Sequence, residues 1–240
     1  FVENHDLPII DLSVSFAAGS ARDIPAKAGL AEITRHMMTT GAAGMNEEEI
    51  SRRMADIGAN LGGELDFDRA GFKLRTLSKA RERDQALEIY TSILQKPDFP
   101  EAVLQREKTR IVAGLREAAT KPDTISNKTF MKALYGDHPY ALDSEPETVN
   151  AIQRDDLVSF YQGHYSANNA VIAMIGDMDR ALAEQVAERL SAGLPQGAAV
   201  SPLAAPALPL AANEQRIAHP ATQSHIVMGY PGIRRGDPDY

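Results

Sequence analysis

The sequence predicts an α+β fold in which an antiparallel sheet packs against helices segregated from it. Three observations carry this. Apolar residues alternate with polar ones over residues 8–20 and again over 61–77, the period of half-buried strands. From residue 80 to about 164 the period lengthens to that of amphipathic helices. The strands are also neighbours in sequence, whereas a doubly wound sheet would alternate them with helices.

Taken in order, residues 1–4 (Phe1-Val2-Glu3-Asn4) read at once as a strand and lack an initiator Met, so the N-terminus and any export signal are expected upstream. Ile10, Leu12, Val14 and Phe16 set one face of the next strand. A helix is expected over 25–40, with Pro25 in its first turn and Gly41 as its stop. Asn46 followed by Glu49 has the form of a capping box, and Ile50, Met54 and Ile57 share the face of the helix it starts. Residues 61–77 form two antiparallel strands, broken at Asp68-Arg69, and Gly62-Gly63 permits a bend or a close approach there. Helices are expected over 80–94, closed by Pro97, and from Pro100 onward with Val103, Leu104, Ile111, Val112 and Leu115. Further helices follow over 124–134, 154–164 and 180–191, with a buried strand over 171–175 ended by Gly176-Asp177.

Residues 194–213 are rich in Ala and Pro, a composition that gives a semi-stiff extended linker. Alternation resumes over 217–230. The expected organisation is therefore a domain over 1–195, a linker over 196–213 and the start of a second, similar domain over 214–240.

Composition narrows the function classes. The formal net charge is -8, with Lys and Arg scattered among acids, so a basic nucleic-acid-binding surface is not expected. There is no cysteine, which rules out disulfides, thiolate zinc sites and cysteine nucleophiles. No apolar run approaches the roughly 20 residues of a membrane helix. Neither a G-x-S-x-G elbow nor a phosphate loop is present, since Gly62-Gly63 has no Lys-Ser/Thr after it.

The segment Gly29-Leu30-Ala31-Glu32-Ile33-Thr34-Arg35-His36-Met37 is the informative one. It resembles the G-L-A-H-x-x-E-H-M frame of the pitrilysin and mitochondrial-processing-peptidase family of inverzincin metallopeptidases, whose H-x-x-E-H helix binds zinc through its two histidines while the glutamate polarises the attacking water. In that frame Glu32 stands at the first histidine, Arg35 at the general base, and only His36 matches. Other landmarks keep the family's order. They are Ala18-Gly19-Ser20 with Arg22, Ile57-Gly58-Ala59, Glu107-Lys108, Asp137-His138-Pro139-Tyr140, Phe160-Tyr161 with Tyr165, Asn168-Asn169 and Ile175-Gly176-Asp177. The family's third ligand is a glutamate two helical turns after the landmark glutamate, and Gly114 occupies that position.

The resemblance implies a sandwich of the mitochondrial-processing-peptidase type and a degenerate subunit with no metal or cofactor of its own. It also implies a partner subunit of the same family carrying zinc and the intact motif, a shared chamber for unfolded or extended peptides, and an edge strand that holds peptide by strand addition. In such pairs the second domain of the degenerate subunit contributes Arg and Tyr near the reacting carbonyl.

Two alternatives stand beside this reading. One is a stand-alone peptidase with an atypical metal site on Glu32 and His36. The other is a structural or peptide-binding module without proteolysis. Arg35 cannot serve as a base because it stays protonated, and two ligands are too few for a catalytic zinc. The residues alone suggest a polar cluster of Glu32, Arg35 and His36 joined by a pair one helical turn apart. His5, His138, His164, His219 and His225 are expected at the surface or in packing, and Met37, Met38, Met45 and Met54 in the core. A bacterial periplasm is the expected location, with the cytoplasm or an organelle matrix as alternatives.

Overall fold

The computed structural model describes residues 1–207, 209–233 and 237–239. Its strands are β1 (Val2–Glu3), β2 (Ile9–Phe16), β3 (Gly41–Ala42), β4 (Met45–Asn46), β5 (Asn60–Leu65), β6 (Ala70–Leu77) and β7 (Ala170–Gly176). Its helices are α1 (Leu30–Met37), α2 (Glu47–Asp56), α3 (Ala80–Gln95), α4 (Glu101–Ala118), α5 (Pro122–Tyr135), α6 (Pro146–Ala151), α7 (Arg154–His164) and α8 (Arg180–Ser191). The main sheet has the order β1-β7-β2-β6-β5, and β3 and β4 form a small separate hairpin. All pairings in the main sheet are antiparallel except the short contact of β1 with β7.

Register explains why the sheet has one dry face. Leu12 lies opposite Leu74 and Met174, and Val14 opposite Phe72 and Ile172. These residues join Ile10 and Phe16 against the helices, where all but Ile172 are buried. The intervening residues face away. Asp11 pairs with Arg75 at 2.7 Å and Lys73 with Glu64 at 2.7 Å on that outer side. Burying a Phe- or Leu-sized side chain is worth about 1.5–3 kcal/mol, far more than an exposed ion pair. The inner rows therefore hold the sheet, and the outer pairs keep it soluble on that side.

Several helix boundaries follow local chemistry. The Asn46 side chain accepts the Glu49 N–H at 2.9 Å and starts α2. Pro100 caps α4, and Pro122 begins α5. The Tyr90 hydroxyl donates to the Phe72 carbonyl at 2.7 Å, fastening α3 to β6.

Three expectations need correction. The helix expected over 25–40 is divided: Pro25–Lys27 is a single 3-10 turn, and α1 begins only after Gly29, whose φ of 100° is the left-handed conformation that glycine tolerates. The 171–175 strand is not buried on both sides, for Val171 and Ile175 are 55% and 46% exposed on the outer face. Residues 217–230 carry no β-ladder among the described residues; a strand needs a neighbour to satisfy its backbone, and none lies beside this stretch. Within 196–213 and 214–240, positions 208, 234–236 and 240 lie outside the described residues.

The chain after α8 is tied to the sheet domain by asparagines. The Asn169 side chain donates to the Ala198 carbonyl and accepts the Val200 N–H at 2.7 Å, while Asn168 donates to the Gly197 carbonyl at 2.7 Å.

Candidate functional site

The site is built on α1. Its N-terminus is held by Asp23, whose carboxylate accepts the Gly29 and Ala31 N–H groups at 2.7 Å each. Burial pushes the Asp23 carboxyl up to about 6, against the pull of these backbone donors, and nearby Glu32 adds to the rise. Leu30, Ala31, Ile33, Thr34 and Met37 form the buried side of α1. Glu32 is exposed, and Arg35 and His36 are half-buried.

These three polar residues go separate ways, which corrects the expected polar cluster on one helix. No hydrogen bond or ion pair joins Glu32 to Arg35 or His36 among the described residues. Glu32 stays in solvent in the first turn, where the helix dipole favours an acid. His36 looks across to α4, and its Nε2 lies 3.3 Å from Glu107 Oε2. That contact lacks hydrogen-bond geometry, and among the described residues Nε2 is buried without a hydrogen-bond partner.

Glu107 is 5% exposed and is held by two guanidinium groups. Arg106 Nε donates to Oε1 at 3.0 Å and Arg110 Nε to Oε2 at 2.8 Å. Burial pushes its carboxyl up, but the hydrogen bonds from Arg110 and Arg106 outweigh this and hold it below the usual range. Arg106 also reaches Glu47 at 3.0 Å, linking α4 to the start of α2. The adjacent Lys108 points the other way and donates to the Asn150 and Ile152 carbonyls at 2.9 and 2.6 Å, at the end of α6.

Arg35 takes a third course. Its guanidinium lies against Gly63 of the edge strand β5, so close that a Cβ on Gly63 would collide with Nη1. Gly63 thus serves close approach, but the visitor is a side chain, whereas Gly62 has only ordinary contact with Lys73. Arg35 makes no hydrogen bond or ion pair among the described residues, and its Nε is buried without a partner. The nearby Tyr165 ring is fully buried, and its hydroxyl is likewise unpartnered.

Gly114 lies two turns beyond Glu107 on the same face of α4, and the space where its side chain would stand is open. A tight catalytic zinc wants three protein ligands, and the residues present do not fit one. The His36 nitrogen faces a carboxylate already engaged by two arginines, Glu32 stays in solvent, and Gly114 offers no donor. Among the described residues no group of three or more His, Asp or Glu could hold a metal ion.

The other singled-out residues are structural. Met37, Met38, Met45 and Met54 are buried in the core. His138 accepts the Tyr140 N–H at 3.2 Å and packs in an aromatic cluster with Tyr135 and Tyr140. Burial and the Arg22 charge lower the pKa of His164. In the sequence Glu107 stands only as a landmark, and its contact with His36 was not expected. Its position two turns before Gly114 was the available signal.

Comparison with known proteins places this geometry. Residues 2–145 match the family described as "Insulinase (Peptidase family M16)", and residues 151–240 match "Peptidase M16 inactive domain". A solved peptidase M16 inactive domain from Pseudomonas fluorescens is 37% identical, with a TM-score of 0.83 over 86% of this chain and 50% of its own. An uncharacterized zinc protease of Rickettsia felis is 23% identical over 201 residues, covering 82% of this chain and 48% of its own length. The mitochondrial-processing peptidase subunit beta of Lentinula edodes is 23% identical over 230 residues, 93% of this chain and 49% of that protein. The chain thus spans about half the length of the relatives it matches. No helix among the described residues is long and apolar enough to cross a membrane.

Proposed function

The chain belongs to peptidase family M16, and from this premise we propose that it is a non-catalytic subunit that works beside a zinc-bearing H-x-x-E-H partner of the same family. In this reading it walls a peptide chamber and assists the partner's proteolysis. One observation carries the proposal: on the motif helix only His36 matches the family's ligands, and it meets the arginine-held Glu107 while the third-ligand position is Gly114. Arg35 at the general-base position remains cationic and cannot activate water. The relative named as a subunit supports pairing, and the solved inactive domain supports a fold retained without its own chemistry.

The test has two arms. Metal analysis of the purified protein is expected to find no stoichiometric zinc; zinc that disappears on His36→Ala would establish a metal site on Glu32 and His36 instead. Co-expression with an intact family member is expected to yield a complex and to raise that member's peptidase activity. Absence of both complex and stimulation sinks the subunit reading.

A peptide-binding role without proteolysis is the second reading, and the free outer edge of β5 favours it. In either case a second domain of similar fold begins at about residue 214, a proposal that limited proteolysis within 196–213 would test. The proposed location is the bacterial periplasm, to be checked by osmotic-shock fractionation.

A further inference from the structure

The Arg35 guanidinium lies at the sheet edge, against Gly63 of β5. Arg35 is half-buried, has a buried Nε without a partner, and makes no ion pair among the described residues. The acids around it are otherwise disposed. Glu107 is engaged by Arg106, Arg110 and His36, and Glu64 pairs with Lys73 on the opposite face of β5. Glu32, on the same helix, stays in solvent and makes no ion pair among the described residues.

Gly63 faces the helix side of the sheet, in register with Phe72, and its missing side chain makes the seat for the guanidinium. β5 hydrogen-bonds to β6 on one side only, and its other edge is open among the described residues. Edge strands are commonly blunted by Lys or Pro; this one instead carries two adjacent glycines.

We propose that Arg35 is an anchor for a carboxylate on an extended peptide added as a strand to the free edge of β5. A strand paired there would lie about 4.8 Å from β5. Its residue opposite Gly63 would direct a helix-side substituent toward the guanidinium. The planar fork of arginine matches a carboxylate with two parallel hydrogen bonds, and partial burial lessens screening of the interaction by salt. The carboxylate comes either from the peptide's C-terminus or from an Asp or Glu side chain. This inference rests on the peptide-binding part of the proposed function, and it adds the ligand's charge and the residue that reads it.

The experiment measures binding of fluorescein-labelled nine-residue extended peptides to the purified protein by anisotropy. One pair differs only in a free or amidated C-terminus, and a second pair only in a central Asp or Asn. In wild type, the acid member of at least one pair is expected to bind about tenfold or more tightly than its neutral counterpart, the scale of a charge-assisted hydrogen bond. The pair that shows the preference identifies the source of the carboxylate. Arg35→Gln is expected to reduce the preference to about one. Gly63→Ala, which evicts the guanidinium from its seat, is expected to do the same and carries the test should Arg35→Gln fail to fold. If acid and neutral peptides bind wild type equally well, peptide binding stands and the anchor is refuted. If no peptide binds, the peptide-binding reading falls and the anchor falls with it. A preference that survives in Arg35→Gln also refutes the assignment.

Discussion

Two neighbouring residues of α1 meet opposite circumstances. His36 faces a carboxylate that two arginines already hold, so its surroundings are balanced in charge. Arg35 rests on the glycine edge of β5 with no ion pair or hydrogen bond among the described residues. The contrast teaches that two adjacent residues of one helix can be put to different uses. His36 belongs to a strut between helices, and Arg35 is a charge that no group among the described residues engages. Struts are detected by stability measurements, whereas unused charges are detected by ligands and salt.

Glu107→Ala would break this comparison most sharply. It removes a buried carboxylate bearing two charge-assisted hydrogen bonds, and a loss of about 2–3 kcal/mol is expected in urea unfolding; a loss under about 1 kcal/mol would mean that the strut bears little. Because the folded Glu107 carboxyl lies below its ordinary range, its contribution is full above the ordinary carboxylate pKa of about 4.3. It fades as the pH falls through the folded value.

Asp23→Ala exposes both residues to the same perturbation by releasing the start of α1. The freed Gly29 and Ala31 N–H groups should cost about 1–2 kcal/mol. Asp23 has the opposite pH signature to Glu107. With its carboxyl raised to about 6, its contribution is full below the ordinary value and is lost as the pH rises through about 6. The wild-type unfolding free energy should therefore fall relative to that of Asp23→Asn between about pH 4 and 6. A carboxyl carbon titrating below 4 in an NMR experiment would contradict this.

His36→Ala should cost less than about 1 kcal/mol, since its Nε2 makes no hydrogen bond. A cost comparable to that of Glu107→Ala would make the two an inseparable pair. Arg35→Gln should change stability least, within about 0.5 kcal/mol in either direction, as read by the urea midpoint.

Much of the fold was legible because its signals are local. The alternation of Ile10 to Phe16 located β2, and Asn46, Pro100 and Asp68-Arg69 marked boundaries that the structure bears out to within a residue or two. Three features escaped for physical reasons. Gly29 could sit inside a helical pattern on sequence grounds alone, and only its positive φ divides the 25–40 segment. Val171 to Ile175 contains no polar residue to mark an outward face, so its half-exposure depends on what does not cover it. The ion pairs of α1 were sought one turn away on the same helix, whereas the partner of His36 came from α4, and a single sequence carries no direct record of which helices cross. The identities of Glu32, Arg35, His36 and Gly114 could be read from the motif frame, but their destinations could not.

The position of β7 has a consequence for how the chain is made. It lies between β1 and β2, both of which precede it in synthesis, yet it is encoded after α7. Until residue 176 has been synthesised, β2 presents one unpaired edge beside the apolar row of Ile10, Leu12, Val14 and Phe16. Synthesis at about 5–20 residues per second leaves that edge open for several seconds or longer. Fragments ending before Ala170 should therefore associate through β2, and refolding should wait on the long-range closure that inserts β7 between β1 and β2.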